Sequence, residues 1–417
     1  MSSEWRSVQL GECAELDTGF PFKSAHYAES LNAVRLLRGD NIGQGQLRWD
    51  GVKGWLRKDG DALATFELRE NDLVLAMDRP WITAGLKFAR VRKSDLPALL
   101  VQRVARLRPK SGVDVDYLHY VVASPAFTQH IQNVTTGTAV PHISARQIRE
   151  YKFHLPDLTT QQAYGKALMS IDDRIFLLRE TNTTLAAIAQ ALFKSWFVDF
   201  DPVRAKLDGR VPEGMDEVTA ALFPDSFEES ALGLAPTGWR VGRVDDLVEL
   251  AYGKALKASD RTAESVPVYG SGGITGYHNQ ALVHTPSIIV GRKGTVGSLY
   301  WEDRPFFPID TVFYVKTNKP LSYCFYQLAR LGLKDMNTDG AVPGLNRNNV
   351  YRLKILLPPD EILAEFDAVT SILRKKMVSN SEQIDALSKL RDTLLPRLIS
   401  GQLCLPEAET ILEEAIA

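Results

Sequence analysis

The stretch GTAVPHISARQIREYKFHLPD, residues 137–157, decides the fold because a similar stretch occurs a second time in the chain. At an offset of 202 residues it aligns without a gap with DGAVPGLNRNNVYRLKILLPPD, which begins at Asp339. Further out, EWRSVQLGECAELDTG from Glu4 matches GWRVGRVDDLVELAYG from Gly238 at an offset of 234. Identical residues in the two matches are Ala139, Val140, Pro141, Lys152, Leu155 and Pro156 with Ala341, Val342, Pro343, Lys354, Leu357 and Pro358, and Trp5, Arg6, Glu15, Leu16 and Gly19 with Trp239, Arg240, Glu249, Leu250 and Gly253. Such self-similarity predicts two halves of one architecture, the second shorter by the difference of the offsets, 32 residues.

Each half opens with a region of short Val, Ile, Phe and Tyr runs punctuated by Gly, Pro, Asn and Asp, such as SIIVGRKGTVGSLYW from Ser287. That pattern is typical of β-strands and turns. Each half then closes on a long helical pattern. We therefore predict an α+β fold in which two β-rich domains are joined and spaced by two long antiparallel coiled-coil helices in a pseudo-two-fold repeat. The predicted boundaries are 1–156 and 239–358 for the domains, 157–200 and 359–400 for the helices, 201–238 for an acidic linker and 401–417 for an acidic tail.

The helical patterns have visible starts and stops. Thr159-Thr160 offers an N-cap for the first helix, which extends to about Val198. A helix of about 40 residues would be roughly 60 Å long at about 1.5 Å per residue. The second follows Pro358-Pro359-Asp360 and is expected to end near Leu395, before Pro396.

Apolar residues at alternating steps of four and three mark one narrow seam on each helix, as in coiled coils. Charged residues flank the seam, which favours a coiled coil over the alternative of two long core helices inside one globular domain. An antiparallel register with Leu178 beside Ile384 places Asn182 opposite Asn380, and paired amides would fix that register. The seam residues are Tyr164, Leu168, Ile171, Ile175, Leu178, Asn182, Leu185, Ala189, Leu192 and Trp196, followed by Phe366, Thr370, Leu373, Met377, Asn380, Ile384, Leu387, Arg391, Leu394 and Leu398.

Composition narrows the class of protein. The chain has 417 residues, 45% hydrophobic and 24% charged, enough to bury a core and to form two to four domains. No apolar signal segment opens the sequence and no run of about 18 apolar residues occurs, so we expect a cytoplasmic protein without a membrane span. Cys13, Cys324 and Cys404 are far apart, which argues against a disulfide framework or a cysteine zinc site.

The formal net charge of -2 conceals segregated charge. Residues 1–156 carry 21 basic against 17 acidic side chains and residues 239–358 carry 15 against 10, whereas residues 201–238 carry 3 against 8. Between Leu86 and Lys110 the sequence has eight basic residues and one acidic residue, Asp95. This stretch is either a pair of solvated strand faces or a surface that follows DNA phosphates.

Motifs of the common catalytic classes are missing. The sequence has no G-x-x-x-x-G-K-(S/T) phosphate loop, no H-E-x-x-H and no G-x-S-x-G, and GSGGITG from Gly270 misses the dinucleotide spacing. The (D/N/S)-P-P-(Y/F/W) motif of amino-methyltransferases is also missing. We therefore expect neither a catalytic centre nor a metal site in this chain.

Further stretches lie at fixed places in the two halves. They are LRGDNIGQG from Leu37, ENDLVLAMDRP from Glu70, GKALK from Gly253, VPVYGSGGITGYHN from Val266, IIVGRKGTVGS from Ile288, FFPIDTVFYV from Phe306 and LRDTLLPRLISGQL from Leu390. With the order of variable region, long helix, variable region and long helix, they resemble the specificity subunits of type I restriction-modification systems over essentially the whole chain.

The resemblance implies that each β-rich domain is a target-recognition domain that reads one half of a bipartite, gapped site in double-stranded DNA, and that the helices space the halves. It also implies two methyltransferase subunits, which carry S-adenosylmethionine and methylate adenine at N6. Restriction subunits would add ATP- and Mg-dependent translocation and cleavage. The present chain would hold no cofactor.

Base reading needs side chains with fixed donors and acceptors: Arg or Lys toward guanine, Asn or Gln toward adenine. Arg292 and Lys293 lie between Gly291 and Gly294, so a tight turn is expected to present both cations outward. Tyr269, Ser271 and His278 lie in Gly-rich turns, and Lys254 and Lys257 suit phosphates. The candidate DNA contacts are Lys23, Arg38, Asn41, Arg79, Thr136, His142, Ser144 and Arg146 in the first domain, and Lys254, Lys257, Tyr269, Ser271, His278, Arg292, Lys293, Asn346, Arg347 and Asn348 in the second.

Three other functions stay open from the sequence. The first is a specificity subunit of another restriction class, whose partner is a fused methyltransferase-nuclease. The second is a coiled-coil scaffold whose β-rich domains bind protein, which predicts no salt-dependent affinity for DNA. The third is a standalone enzyme, which the missing motifs disfavour.

Overall fold

The structure is a computed structural model that describes residues 5–403 except 31, 59, 83–84, 138–140, 263 and 338–343. It divides into two compact units, Met1–Leu177 with Gln383–Ala417, and Leu178–Glu382. Some features predicted above lie outside the described residues: the repeated Ala-Val pairs at 139–140 and 341–342, Cys404, and the acidic tail beyond residue 403.

Short strands form the β-rich domain of the first unit. They are β1 (Arg6–Gln9), β2 (Ala14–Thr18), β3 (Val34–Leu37), β4 (Gly54–Trp55), β5 (Leu73–Ala76), β6 (Trp81–Ile82), β7 (Gly85–Leu86), β8 (Phe88–Arg90), β9 (Ala98–Leu100), β10 (Val104–Pro109) and β11 (Lys152–Leu155). One sheet has the order β2-β10-β5-β8, a second has the order β4-β3-β9, and β1 pairs with β11. Strand β5 is apolar throughout because it lies inside its sheet with both faces covered, and Leu73, Val74 and Leu75 are fully buried.

Helices cover this domain and lead out of it. They are α1 (Leu10–Cys13), α2 (Val115–Ala123), α3 (Pro125–Val134), α4 (Ala145–Arg149) and α5 (Leu158–Lys194). Asp114 caps α2 by accepting from the backbone N–H groups of Asp116 and Tyr117. Ser124 caps α3, which starts with a proline at its first turn, where no N–H is needed. These caps fix where the two helices begin.

The second unit repeats the plan. Its further elements are α6 (Asp201–Leu207), α7 (Glu217–Ala221), β12 (Phe227–Ser230), β13 (Gly233–Pro236), β14 (Arg240–Arg243), α8 (Val244–Leu247), β15 (Glu249–Tyr252), β16 (Val266–Gly270), β17 (Gly273–His278), β18 (Ser287–Gly291), β19 (Leu299–Glu302), β20 (Phe307–Pro308), β21 (Val312–Lys316), α9 (Leu321–Ala329), α10 (Arg347–Tyr351), β22 (Lys354–Leu357) and α11 (Asp360–Ile399). The main sheet has the order β15-β21-β18-β19, the second β17-β16-β20, and β14 pairs with β22. These three sheets of the first unit therefore have counterparts in the second, including the parallel pairs β3-β9 and β16-β20, whereas the short β6-β7 pair belongs to the first unit alone among the described strands.

Helix α5 differs from its predicted bounds at both ends and α11 at one: the α-helical part of α5 ends at Lys194 and continues as a π-helical segment, Ser195–Asp199. Asp157, rather than Thr159 or Thr160, caps α5: its carboxylate accepts from the backbone N–H and the hydroxyl of Thr160 at 3.0 and 2.6 Å. Helix α11 continues through Pro396 to Ile399, because a proline in the last turn costs only one hydrogen bond while Leu398 beyond it is buried. No helix in the described part of the chain is long and apolar enough to cross a membrane.

The seam is filled as the heptads predict. In the second unit Asn380 Nδ2 donates to Asn182 Oδ1 at 2.8 Å, the predicted pairing, and the rings of Trp196 and Phe366 lie 5.9 Å apart. In the first unit Arg391 donates to Asp172 at 2.7 Å, which accommodates an arginine at a seam position. The two helical segments are thus antiparallel and in the expected register within each unit.

Each β-rich domain is tied by an ion pair to the helix that follows it. In the first unit Arg92 lies 3.6 Å from Asp173 of α5. In the second unit Arg374 of α11 donates to Asp303 at 3.0 Å. The strand registers Leu73↔Arg90 and Ile288↔Trp301 place Arg92 and Asp303 at equivalent positions. Their helix partners Asp173 and Arg374 lie one position apart at the 202-residue offset, so the two ion pairs join similar places with reversed polarity.

The segment predicted as an acidic linker, 201–238, is a folded part of the second unit. It forms α6, α7 and the β12-β13 hairpin. Val203, Phe223 and Ala235 are buried at 0%, 1% and 0% exposure, and the first two pack into the main apolar core of that unit. The prediction of a linker was wrong because it relied on the number of acidic residues and overlooked these buried apolar residues.

Candidate nucleic-acid interface

Polar side chains gather at one end of the main sheet of the first unit. Asp78 and Arg79 follow strand β5, and Arg103 immediately precedes β10. The two strands are antiparallel with Val104 opposite Ala76, so these three residues lie at the same end. His142 joins them through a β-bridge with Asp78. We call Asp78, Arg79, Arg103, Thr136 and His142 the first cluster.

The first cluster is internally bonded yet open to solvent. His142 Nδ1 lies 2.6 Å from Asp78 Oδ1, and Arg103 Nη1 lies 3.2 Å from His142 Nε2. Arg103 Nε is 3.8 Å from Asp78 Oδ2, and the arginine side chain remains 58% exposed. Thr136 exchanges backbone hydrogen bonds with His142 at 3.0 and 2.8 Å. The result is an exposed cation held in place by neighbours.

Two arginines of this cluster have unusual backbones. Arg79 has φ +46° and Arg103 has φ +67°, in the left-handed region that L-residues with a Cβ enter at a cost of about 1 kcal/mol or more. The backbone N–H of Arg79 donates to Pro141 O at 2.7 Å, and Arg103 O accepts from Met77 N at 2.9 Å. Both conformations are therefore fixed by long-range backbone contacts.

A second cluster lies at the matching end of the main sheet of the second unit. Arg292 and Lys293 leave strand β18, and Tyr252 ends strand β15. The guanidinium carbons of Arg292 and Arg347 lie 5.0 and 4.9 Å from the centre of the Tyr252 ring, which is half exposed. Cations stacked on an aromatic face are held by its quadrupole. We call Tyr252, Arg292, Lys293 and Arg347 the second cluster.

The two clusters occupy equivalent positions of the repeat. Asp78 bridges to His142 as Lys293 bridges to Gly344, 202 residues after His142. Met77 N donates to Arg103 O as Arg292 N donates to Thr311 O. These backbone hydrogen bonds thus correspond in the two places, whereas the side chains differ and the positive φ of Arg103 is not repeated at Thr311.

Several predicted DNA contacts have structural roles instead. Tyr269 is 6% exposed and its hydroxyl donates to Glu302 at 2.9 Å, and His278 is 9% exposed with Nδ1 accepting from Thr262 N at 3.1 Å. Since base contact needs an exposed side chain, the prediction was wrong for both. Ser144 and Asn346 are the N-caps of the equivalent helices α4 and α10.

The other predicted residues lie apart from the clusters or beside them. Asn41 is occupied in a turn, where Oδ1 accepts from Arg38 N and Nδ2 donates to Arg48 O. Arg38 and Arg146 pair with Asp40 and Glu150. Ser271 lies beside the turn after Lys293, since its Oγ accepts from Thr295 N at 3.4 Å. The remaining candidates, all exposed, are Lys23, Lys254, Lys257 and Asn348.

Several arginines of the basic stretch from Leu86 to Lys110 form ion pairs and hydrogen bonds within the fold. Arg106 donates to Asp17 and to Thr65 O, and Arg108 pairs with Asp72 at 2.5 Å. Arg90 pairs with Asp116 at 2.6 Å. The stretch is therefore neither a solvated face nor a phosphate track as a whole, and Arg103 is its member in the first cluster.

Sequence reasoning missed Asp78, Arg103 and Tyr252 as members of the clusters. Asp78 and Arg103 are 25 residues apart and meet only through the sheet register, which a local pattern does not reveal. Tyr252 carries a weak signal: it immediately precedes Gly253, whose missing Cβ would meet the Ile309 carbonyl at 2.1 Å. A repeated glycine at such a close approach marks the strand end where the clusters form.

Comparison with known proteins identifies the family. The profile described as "Type I restriction modification DNA specificity domain" matches residues 2–187 and again 236–390. The chain is 26% identical over 359 residues to the type I restriction enzyme HindI specificity subunit of Haemophilus influenzae, with 69% of this chain and 77% of that protein covered. It is 25% identical over 337 residues to the MjaIX specificity subunit of Methanocaldococcus jannaschii, with 75% and 74% covered.

A solved structure shares the fold. The crystal structure of the type I restriction-modification S subunit from M. genitalium superposes with a TM-score of 0.56 at 16% identity, covering 95% of this chain and 96% of that one. The family profile falls once on each half of the repeat that the sheets define. The chain therefore belongs to the family of type I restriction-modification specificity subunits and contains two recognition domains.

Proposed function

We propose that this chain selects the DNA site of a type I restriction-modification complex, each recognition domain reading one half of a bipartite, gapped sequence. The observation that carries the proposal is the placement of the two clusters at the same end of equivalent sheets. Equivalent sheet ends with different polar side chains are what two readers of different short sequences require, because bases are told apart by donor and acceptor patterns.

Electrostatics supports DNA as the ligand. Lys293 is exposed, Arg103 is 58% exposed, and Lys254 and Lys257 are exposed near the second cluster in sequence. Cations of this kind neutralise phosphates and release counterions, so affinity falls steeply with salt, by about one power of salt concentration for each phosphate contacted. A domain that binds protein instead would lack this dependence.

In this scheme the chain supplies recognition and its partners supply chemistry. Two methyltransferase subunits bring S-adenosylmethionine and modify adenine at N6, and restriction subunits bring ATP, Mg and the nuclease. Helices α5 and α11 space the half-sites and offer exposed faces for the partners, since Leu177, Ile188 and Ile372 are 55%, 49% and 67% exposed on them. The chain itself is proposed to be non-catalytic.

The decisive test is adenine methylation mapped across a genome by single-molecule sequencing. Cells would express the neighbouring methyltransferase subunit with this chain or without it. A gapped, two-part motif methylated on both strands only in the presence of this chain supports the proposal. A soluble complex that yields no chain-dependent motif would refute it, and a partner that cleaves DNA by itself would assign the chain to another restriction class.

A further inference from the structure

We propose that Arg103 is a specificity-determining residue of the first recognition domain and that it reads a guanine in the corresponding half-site. This inference rests on the proposed function and adds to it a residue and a base. Three features of Arg103 support the assignment: its side-chain partners, its backbone conformation, and the residue that replaces it in the second domain.

The side chain of Arg103 is oriented before any ligand arrives. The Asp78 carboxylate is an acceptor only, so His142 Nδ1, 2.6 Å away, is the donor of that hydrogen bond. Arg103 Nη1 lies 3.2 Å from His142 Nε2 and 3.5 Å from His142 Nδ1, so the guanidinium lies against the imidazole ring. Asp78 therefore positions the imidazole, and the imidazole positions the guanidinium. An oriented arginine loses less conformational freedom on binding than a free one.

The oriented guanidinium keeps donors for a ligand. Among the described residues no acceptor lies within hydrogen-bonding distance of Arg103 Nη2, and the side chain is 58% exposed. In the major groove guanine presents two adjacent acceptors, O6 and N7, which match a guanidinium fork. Adenine presents a donor at N6 in place of one acceptor and is disfavoured. The chemistry that fits the fork is thus guanine.

The backbone of Arg103 is strained in a way that a purely structural arginine would not require. Its φ of +67° is a conformation in which glycine fits without cost, and its own carbonyl is held by Met77 N at 2.9 Å. Strained residues that persist at a surface cluster are a sign of function. Among the described residues the non-glycine residues with positive φ are Asn71, Arg79, Arg103 and Phe200, so two of the four belong to the first cluster.

The second domain has no such fork at this place. Thr311 is the equivalent of Arg103, and the arginines of the second cluster lie over the Tyr252 ring, with Arg292 Nη1 also donating to Asp310 O at 3.0 Å. A change at Arg103 should therefore alter one half of the recognition sequence and leave the other half unchanged.

The test is the variant R103G in the complete complex, with methylated adenines mapped across the genome. Glycine adopts the left-handed backbone freely, so the variant should fold with an unchanged or higher Tm. We expect one guanine in one half-site to become degenerate, with discrimination at that position reduced about tenfold or more. The other half-site and the gap should be unchanged.

Two controls separate the alternatives. R69A removes an exposed arginine that precedes strand β5, at the end of the strand opposite the cluster, and it should leave the motif unchanged. If Arg103 contacts a phosphate, R103G would instead weaken binding to all DNA sites equally. The slope of log affinity against log salt concentration would fall by about one, and no position of the motif would become degenerate. That result, or an unaltered motif in R103G, would overturn the assignment while the wild-type motif upholds the proposed function. No motif with the wild-type chain would overturn both.

Discussion

At the scale of residues, His119 is a titratable group enclosed by the first unit. It is 8% exposed, its ring lies 4.8 Å from Tyr120 and 5.0 Å from Phe88, and its Nδ1 is buried without a partner. Burial lowers the pKa of His119 to about 4, which the nearby Asp172 opposes only in part. The other charged groups that act on it are Arg90, Asp116 and Arg391.

This depressed pKa predicts a loss of stability in mild acid. The unfolded chain binds the imidazole proton near pH 6.5, whereas the folded protein resists it down to about pH 4. The contribution of His119 to the free energy of unfolding should therefore be fully present above pH 6.5 and should be lost as the pH falls toward 4. At pH 5 the wild type should lose about 2 kcal/mol that H119F retains. Urea unfolding of both proteins at pH 7 and pH 5 measures this, and equal losses would contradict it.

The asparagine pair of the seam is a second buried polar site. Asn380 is fully buried and its Oδ1 has no partner, while Asn182 also donates to Met377 O at 3.1 Å. An unsatisfied buried acceptor costs about 1–3 kcal/mol. The pair therefore costs stability and is best understood as a device that fixes register.

Substitutions at the pair should be strongly non-additive. N182L alone leaves the Asn380 amide without its partner and should destabilise the protein by about 2 kcal/mol. N182L with N380L completes an apolar seam and should stabilise it by about 1 kcal/mol or more. Thermal unfolding of the wild type, N182L, N380L and the double variant gives a double-mutant cycle. A double variant less stable than both single variants would refute this account.

Residue identities were predictable where a local period governs them and not where distant segments meet. The heptad spacing places both asparagines on the seam, and the antiparallel register with Leu178 beside Ile384 then predicts their contact. By contrast, the sequence around Tyr269 and His278 predicts exposed side chains that contact bases, yet both side chains are buried in the second sheet. The role of Arg103 depends on Asp78 and His142, which are 25 and 39 residues away.

At the scale of elements, the Asp303–Arg374 ion pair joins the second recognition domain to the helix that follows it. The Asp303–Arg374 pair is only 25% and 29% exposed, and the Arg374 guanidinium also lies 4.7 Å from the centre of the Trp301 ring. A partly buried pair of this kind contributes more than an exposed one, because it is screened less by water.

Reversing one charge of this joint should loosen it and reversing both should restore it. R374E places two carboxylates together and should destabilise the second unit by about 2 kcal/mol. D303R combined with R374D should recover at least half of that loss. K375E is the matched control, since it reverses an exposed charge one residue along the same helix and should be nearly neutral. Equal unfolding midpoints for R374E and K375E would contradict a role for the joint.

Element boundaries were predicted to within a few residues, and the errors have clear causes. The capping residue of α5 is Asp157 because a carboxylate can accept from both the N–H and the hydroxyl of Thr160. The acidic segment 201–238 folds because Val203 and Phe223 reach the core. Neither contact is visible in a charge count.

At the scale of the whole molecule, the internal repeat was the most reliable guide. Two offsets in the sequence predict two equivalent halves, and the sheets β2-β10-β5-β8 and β15-β21-β18-β19 realise them. The sequence does not reveal which strand ends carry the clusters, because that depends on the sheet order.

The spacer role of the helices predicts that their length sets the gap in the recognition sequence. Seven residues inserted after Ala187 and seven after Lys375, facing positions in the seam register, keep the heptads and add about 10 Å. Methylation mapping should show a longer gap with both half-sites unchanged. Insertion in α5 alone is the control, since it breaks the register and should reduce stability. An unchanged gap in the matched variant would contradict the spacer role.

The reversed polarity of the two joints has a consequence for inheritance. Arg92 and Asp173 form one compatible pair and Asp303 and Arg374 the other, so a recognition domain is matched to the first turns of its own helix. A crossover that moves a domain alone to the other half would place Arg92 beside Arg374 and Lys375, and Asp303 beside Asp172 and Asp173. A crossover placed beyond Asp173 or Arg374 transfers domain and counter-charge together. The heritable module of specificity in this protein is therefore a domain plus about four helical turns.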